Sequence, residues 1–162
     1  VEYPELAPGV DSETAGVVRG YCRWHIAPVV TETLVLPSSG SSSIILPTLK
    51  LRAVTALTID GTALTSDELA DLNWYQAGYI RTGRRIPCKG RAISVTITHG
   101  FEECPIEILA AVTRIDAGVP YAGLKSAATL SNSFSTAAGD TDDGFDPYVS
   151  RILGDYRVPI GS

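Results

Sequence analysis

The stretch Tyr21-Cys-Arg-Trp-His-Ile-Ala-Pro28 sets a thiol, a guanidinium, an indole and an imidazole almost side by side. Cys22-x-x-His25 supplies the first half of a tetrahedral zinc set, for which Cys88, His99 or Cys104 would have to provide the rest. The same pair could instead serve a small metal- or thiol-dependent enzyme, if an adjacent imidazole lowered the thiol and an acid oriented that imidazole. Only half of either pattern is present. The other candidate ligands are scattered singly, and nothing marks the third member of a catalytic trio. Small thiols and imidazoles on an apolar helix face are commonly just packed. The packed reading is therefore preferred: no metal, no cofactor and no catalytic residue is expected, and Tyr21 and Trp24 become core anchors.

Two charged stretches remain. Gly139 to Asp146 has the acidic content of a calcium loop, but the spacing fails at the third and fifth positions and Arg151 stands where the bidentate Glu belongs. It reads as a solvated run that favours the positive end of a following helix. Arg81, Arg84, Arg85, Lys89 and Arg91 hold five of the 13 basic residues, with Trp74, Tyr75 and Tyr79 just upstream. This segment suits a solvated hairpin tip, an acidic protein partner, or a DNA-binding module using residues 81–91, in that order of preference for a chain of net charge −5. Acids gather near both ends, at Glu2, Glu5, Asp11 and Glu13 and from Asp140 to Asp155. Subunits arranged head to tail could set these ends against a neighbour's basic loop. No phosphate-cradling glycine loop and no nucleophile elbow is found.

The elements that must carry these residues predict an α+β fold. A chain of 162 residues, 44% hydrophobic, suits one core with an arm: residues 1–10 as an extended N-terminal arm, 11–120 as the core domain, and 121–162 as a linker and C-terminal docking arm. Asp11 or Ser12 can cap a first helix whose apolar face is Val18, Tyr21, Cys22 and His25. From Val30 to His99 the period changes to two, predicting an antiparallel meander of hairpins. Thr31–Leu36 and Ser43–Leu46 flank a Ser-rich loop, Val54–Asp60 turns back at Asp60-Gly61, Asn73–Gln76 meets Tyr79–Thr82, and Ala92–His99 alternates cleanly.

A long second helix opens at Pro105 and carries two opposed apolar stripes, Ile106, Leu109, Ala110 and Thr113 against Ile108, Val112, Ile115 and Val119. One stripe seats the helix, and the other needs a second cover. Ile108, Val112, Ile115 and Val119, with Arg84 and Arg85, are the expected subunit interface. A weakly hydrophobic, mobile linker follows. A short C-terminal helix closes the chain, with Asp146 as cap, Pro147 at its first position, and Val149, Ile152, Leu153 and Tyr156 on one face. No apolar run is long enough to span a bilayer and no basic-then-apolar leader is seen, so a soluble protein without membrane partners is expected. Three cysteines without framework spacing fit reduced thiols in a cytoplasm.

The order of four segments goes beyond these physical readings. Ala15–Leu36 (AGVVRGYCRWHIAPVVTETLVL), Leu46–Gly61 (LPTLKLRAVTALTIDG), Thr96–Val112 (TITHGFEECPIEILAAV) and Asp146–Pro159 (DPYVSRILGDYRVP) together resemble the head-to-tail adaptor (connector) proteins of long-tailed bacteriophages, the actinobacteriophage type above all. The likeness runs over about residues 11–158. Its markers are Tyr-Cys-x-Trp-His-x-x-Pro, a Leu-Pro-Thr-Leu lead-in to a strand, and Thr-His-Gly-Phe before an acidic-Pro helix start. The resemblance implies a structural virion protein of the neck, made in the host cytoplasm. It would form a homo-oligomeric ring, expected to be twelve-fold, beneath the portal protein, and present a surface to the next neck or tail-completion protein. Packaged DNA would pass through the lumen without specific binding. The closing segment would engage the portal through Asp146, Tyr148, Val149, Ile152, Leu153 and Tyr156. Arg23 beside the Trp and the Ser-rich first loop depart from the pattern.

Overall fold

Asp11 accepts hydrogen bonds from the backbone N–H groups of Glu13 and Thr14, and so fixes the start of helix α1 (Ser12–Cys22). Thr14, Ala15, Val18 and Cys22 make its buried face. The helix stops at Cys22 because Arg23 takes a left-handed conformation, φ 66°. His25 therefore lies beyond the helix, on a crossing segment, rather than on the helix face the spacing predicts. The computed structural model describes residues 3–37, 40–83, 86, 92–117 and 145–159.

Strands β1 (Val30–Pro37), β2 (Ser43–Ile45), β3 (Leu51–Ile59) and β4 (Thr62–Ala63) come next, then the short helix α2 (Ser66–Ala70). β5 (Asn73–Tyr75), β6 (Tyr79–Arg81) and β7 (Ala92–His99) are the remaining strands among the described residues, and helices α3 (Ile106–Asp116) and α4 (Pro147–Asp155) follow. The α+β class is as expected. The strand order is not that of a meander, because β7 inserts between β1 and β3 in a four-stranded antiparallel sheet, β1-β7-β3-β4. β2, β6 and β5 form a separate three-stranded sheet.

The predicted hairpin between β1 and β2 is thus corrected. β1 pairs with β7 along its whole length, Val30 opposite His99 through Pro37 opposite Ala92. That register sets Leu34 opposite Val95 and Leu36 opposite Ile93, so these four side chains share one face, while Val35, opposite Ser94, stands on the exposed one. β2 pairs with β6 instead. The turns at Asp60-Gly61 and Ala77-Gly78 stand where the sequence places them, joining β3 to β4 and β5 to β6. Gly78 has φ +85°, and a Cβ there would come within 2.0 Å of the Thr48 carbonyl oxygen. α2 was legible too, through the reciprocal capping box of Thr65 and Glu68, yet the sequence reading passes over it.

The two sheets enclose one core of Ile44, Leu46, Leu51, Leu57, Ile80, Ile93, Val95 and Ile97. A second core lies among the helices. Leu6, Val18, Cys22 and Trp24 pack there with Ile108, Ala111, Val112, Val149, Leu153 and Val158. The Thr14 hydroxyl donates to Asp116, and the Tyr156 hydroxyl to Glu107, so α3 runs antiparallel to both α1 and α4.

Candidate functional site

Cys22 and His25 are not brought together for chemistry. The Cys22 thiol is fully buried and points to the Leu153 carbonyl, Sγ to O 3.6 Å. Burial pushes it up to about 12, the reverse of what a nucleophilic thiolate needs. Cys104 is pushed up to about 11, again by burial. Among the described residues no group of three or more His, Cys, Asp or Glu could hold a metal ion. Cys88 lies outside them.

His25 belongs to a different assembly, a polar junction where the N-terminal arm, α1, β1 and β7 meet. Its Nε2–H donates to the Pro28 carbonyl. Its ring stacks on Tyr3 with centroids 4.7 Å apart and meets the His99 ring edge-on at 5.7 Å. His99 Nε2–H donates to Glu32 Oε1 at 2.8 Å, and the Tyr3 hydroxyl donates to Glu32 Oε2 at 3.2 Å. Arg19 clasps the crossing segment, donating to the carbonyls of His25, Ala27 and Pro4. Burial lowers the pKa of both imidazoles, which Glu32 only partly offsets at His99. Glu32 was missed by sequence reading because it sits inside an alternating strand, where its partner across β7 is invisible.

The two stripes of α3 have separate fates. Ile108 and Val112 are enclosed in the chain's own helical core, and Ile115 packs against it. Of the four residues expected at a subunit interface, Ile108 and Val112 are thus closed off by the chain's own helices, while Ile115 is half-buried. The opposite stripe is the uncovered one, with Ile106 72% exposed and Leu109 and Ala110 half-buried. Val119, Arg84 and Arg85 lie outside the described residues.

α4 is seated in the same core. Asp146 and Pro147 start it as expected, Asp146 accepting from the Tyr148 backbone N–H. Its apolar face is already occupied, since Val149, Ile152 and Leu153 are buried against α1 and α3. Tyr156 takes part in the same packing, its carbonyl accepting from the Trp24 indole at 2.7 Å. Asp146 forms an ion pair with Arg114 at 2.8 Å. Of the six residues expected to meet a portal, Tyr148 stays the most open at 40%, with the Arg114 guanidinium 4.7 Å from its ring centroid.

The three-stranded sheet adds a surface that the sequence did not reveal. Strand pairing lines up Ile45, Tyr79 and Tyr75 in one row, with Ile45 63% exposed and the two tyrosine rings stacked at 4.2 Å. Arg81, the first residue of the basic segment, follows two positions later on the same face. It also lines a cleft with Glu68 and Asp71 at the end of α2, so acids stand close to the start of the basic run. The other members of that run lie outside the described residues, Lys89 and Arg91 included.

No protein-family profile and no curated protein sequence matches this chain. Its fold is similar to that of a chain in a solved structure, the neck of an empty gene transfer agent (GTA) particle computed with C6 symmetry. The match has a TM-score of 0.52 and 18% identity, and covers 93% of this chain and 75% of the other. The likeness is one of fold, and it agrees with the adaptor resemblance carried by the sequence motifs.

Proposed function

We propose that this chain is a structural neck protein of a phage-like virion: a head-to-tail adaptor that forms a ring of identical subunits beneath a portal and lines the passage for DNA. The observation that carries the reading is the likeness to a neck-particle chain over 93% of the sequence. The absence of an activated nucleophile at Cys22, whose thiol burial holds protonated, gives the enzyme alternative no support. Imaging of particle necks with this protein labelled tests the proposal. Density for the label in a ring next to the portal is expected, and label confined to another part of the particle would overturn it.

Within that ring, the intersubunit contact is assigned to the outer stripe of α3, Ile106, Leu109, Ala110 and Thr113, in place of the inner stripe that the fold consumes. An Ile that is 72% exposed on a helix already seated by its other face is surplus to the monomer. Arg84 and Arg85 supply a basic contact to an acidic neighbour or tail-side partner. Portal contact falls to the outward face of α4 around Tyr148, leaving its apolar face in the core.

A further inference from the structure

We propose that His25 and His99 form an acid-sensitive latch, holding the start of the N-terminal arm, residues 3–5, against the junction of helices and sheet and releasing it when they take up protons. Both side chains are 1% exposed. In each ring Nε2–H is already committed, to the Pro28 carbonyl in one and to Glu32 in the other. Nδ1 is therefore the atom that must accept a further proton, and in both rings it is buried with no hydrogen-bond partner. A proton there creates a buried N–H without an acceptor on a charged ring.

The surroundings decide the sign. Around His25 stand Tyr3 from the arm, Arg19 from α1, Glu32 from β1 and His99 from β7. Arg19 and a charged His99 oppose protonation of His25; Glu32 favours it, as does the face of the Tyr3 ring. Near the same turn Arg52 holds the Gly100 carbonyl and is neutralised by Glu102 at 2.8 Å. The Cys104 thiol is held neutral. Burial outweighs the Glu32 carboxylate, since both rings are depressed below the ordinary value of 6.5. An opened state therefore binds more protons than the latched one. The latch is fully favoured above that ordinary value and is lost as pH falls through and below it.

The arm is the part that yields. Tyr3 covers His25, its hydroxyl holds Glu32, and Arg19 grips the Pro4 carbonyl at 2.7 Å. Lifting Tyr3 hydrates His25 and frees Glu32, while Leu6 stays in the helical core and both cores remain closed. Opening at an end of a domain costs far less than breaching its core.

Nuclear magnetic resonance of the Tyr3 ring and both imidazoles, followed from pH 7.5 to 5 beside far-ultraviolet circular dichroism, tests this. The Tyr3 signals should move to unstructured values while the dichroism is unchanged, the latched-to-open ratio falling by up to about tenfold per pH unit for each extra proton bound. His25→Phe keeps a ring under Tyr3 and cannot charge, so its Tyr3 signals should stay docked further into acid. If that variant does not fold, Glu32→Gln takes its place: it keeps an acceptor for Tyr3 but removes the charge that supports protonation, so release should shift to lower pH. Tyr3 remaining docked at pH 5 in the unaltered protein, or an unchanged release midpoint in the variant that folds, would overturn the latch.

Discussion

Gly100 shows how tightly single residues are fitted where β7 leaves the sheet. Its φ is +107°, and a Cβ would stand 2.7 Å from the Pro28 carbonyl oxygen and 3.4 Å from the His25 ring. Backbone strain and collision with main-chain atoms add, so Gly100→Ala is expected to cost about 2–3 kcal/mol, read as a lowered denaturant midpoint at unchanged slope. Cys22 supports a second prediction at this scale. With the thiol raised to about 12, thiolate at pH 8 is roughly one part in ten thousand, and the sulfur is enclosed as well. Alkylation of Cys22 should track global unfolding, and rapid alkylation of the native protein would contradict the packing described. The sequence made the packed state of Cys22 legible, because an apolar helix face needs only periodicity. It could not show His25 leaving that face, since a left-handed Arg23 carries no residue-type signal of the kind a glycine gives.

Helices α3 and α4 look alike in sequence, each amphipathic and each short of a visible partner. Periodicity found both stripes of α3 and could not tell which faced inward, because burial is decided by α1 and α4 arriving from distant parts of the chain. Paired substitutions separate the stripes. Asp at Ile108 and Ile115 should unfold the monomer, by charging sites that are closed or packed in the helical core. Asp at Ile106 and Leu109 should leave the dichroism and melting of the monomer nearly unchanged and abolish ring formation on sizing columns. Normal rings from the second pair would remove α3 from the interface. For α4, truncation after Gly144 deletes Val149, Ile152, Leu153 and Val158 from the core. At about 1.5–3 kcal/mol for each buried aliphatic side chain, the loss rivals a typical total stability of about 5–15 kcal/mol. The truncated chain should fail to fold, and a stable, cooperatively melting fragment would show that α4 is dispensable. The Asp146-Pro147 start of this helix was readable as a local signal. The burial of its apolar face in the chain's own core was not, since a groove on a partner and a groove on the chain itself demand the same apolar face.

At the scale of the molecule, the net charge of −5 bears on DNA. In the proposed function, a ring of such subunits would repel a duplex sliding through it, so double-stranded DNA should bind weakly and with a shallow dependence on salt. Arg84→Glu with Arg85→Glu is expected to weaken joining to a protein partner while filled heads keep their DNA. Selective leakage from heads with a complete ring would assign the basic segment to DNA instead.

The place of β7 between β1 and β3 has a further consequence, for the order of events during synthesis. Neither flanking strand pairs with the other, so the four-stranded sheet cannot close until His99 has left the ribosome, and the helical core waits for Val158. At about 5–20 residues per second, β1 spends several seconds as an unpaired strand after it emerges. It is eight residues long and Glu32 is its sole charge, which makes it a template for the wrong strand during that interval. Yield in a foreign host should therefore depend on chaperone capacity and growth temperature more steeply than the equilibrium stability of the finished protein suggests.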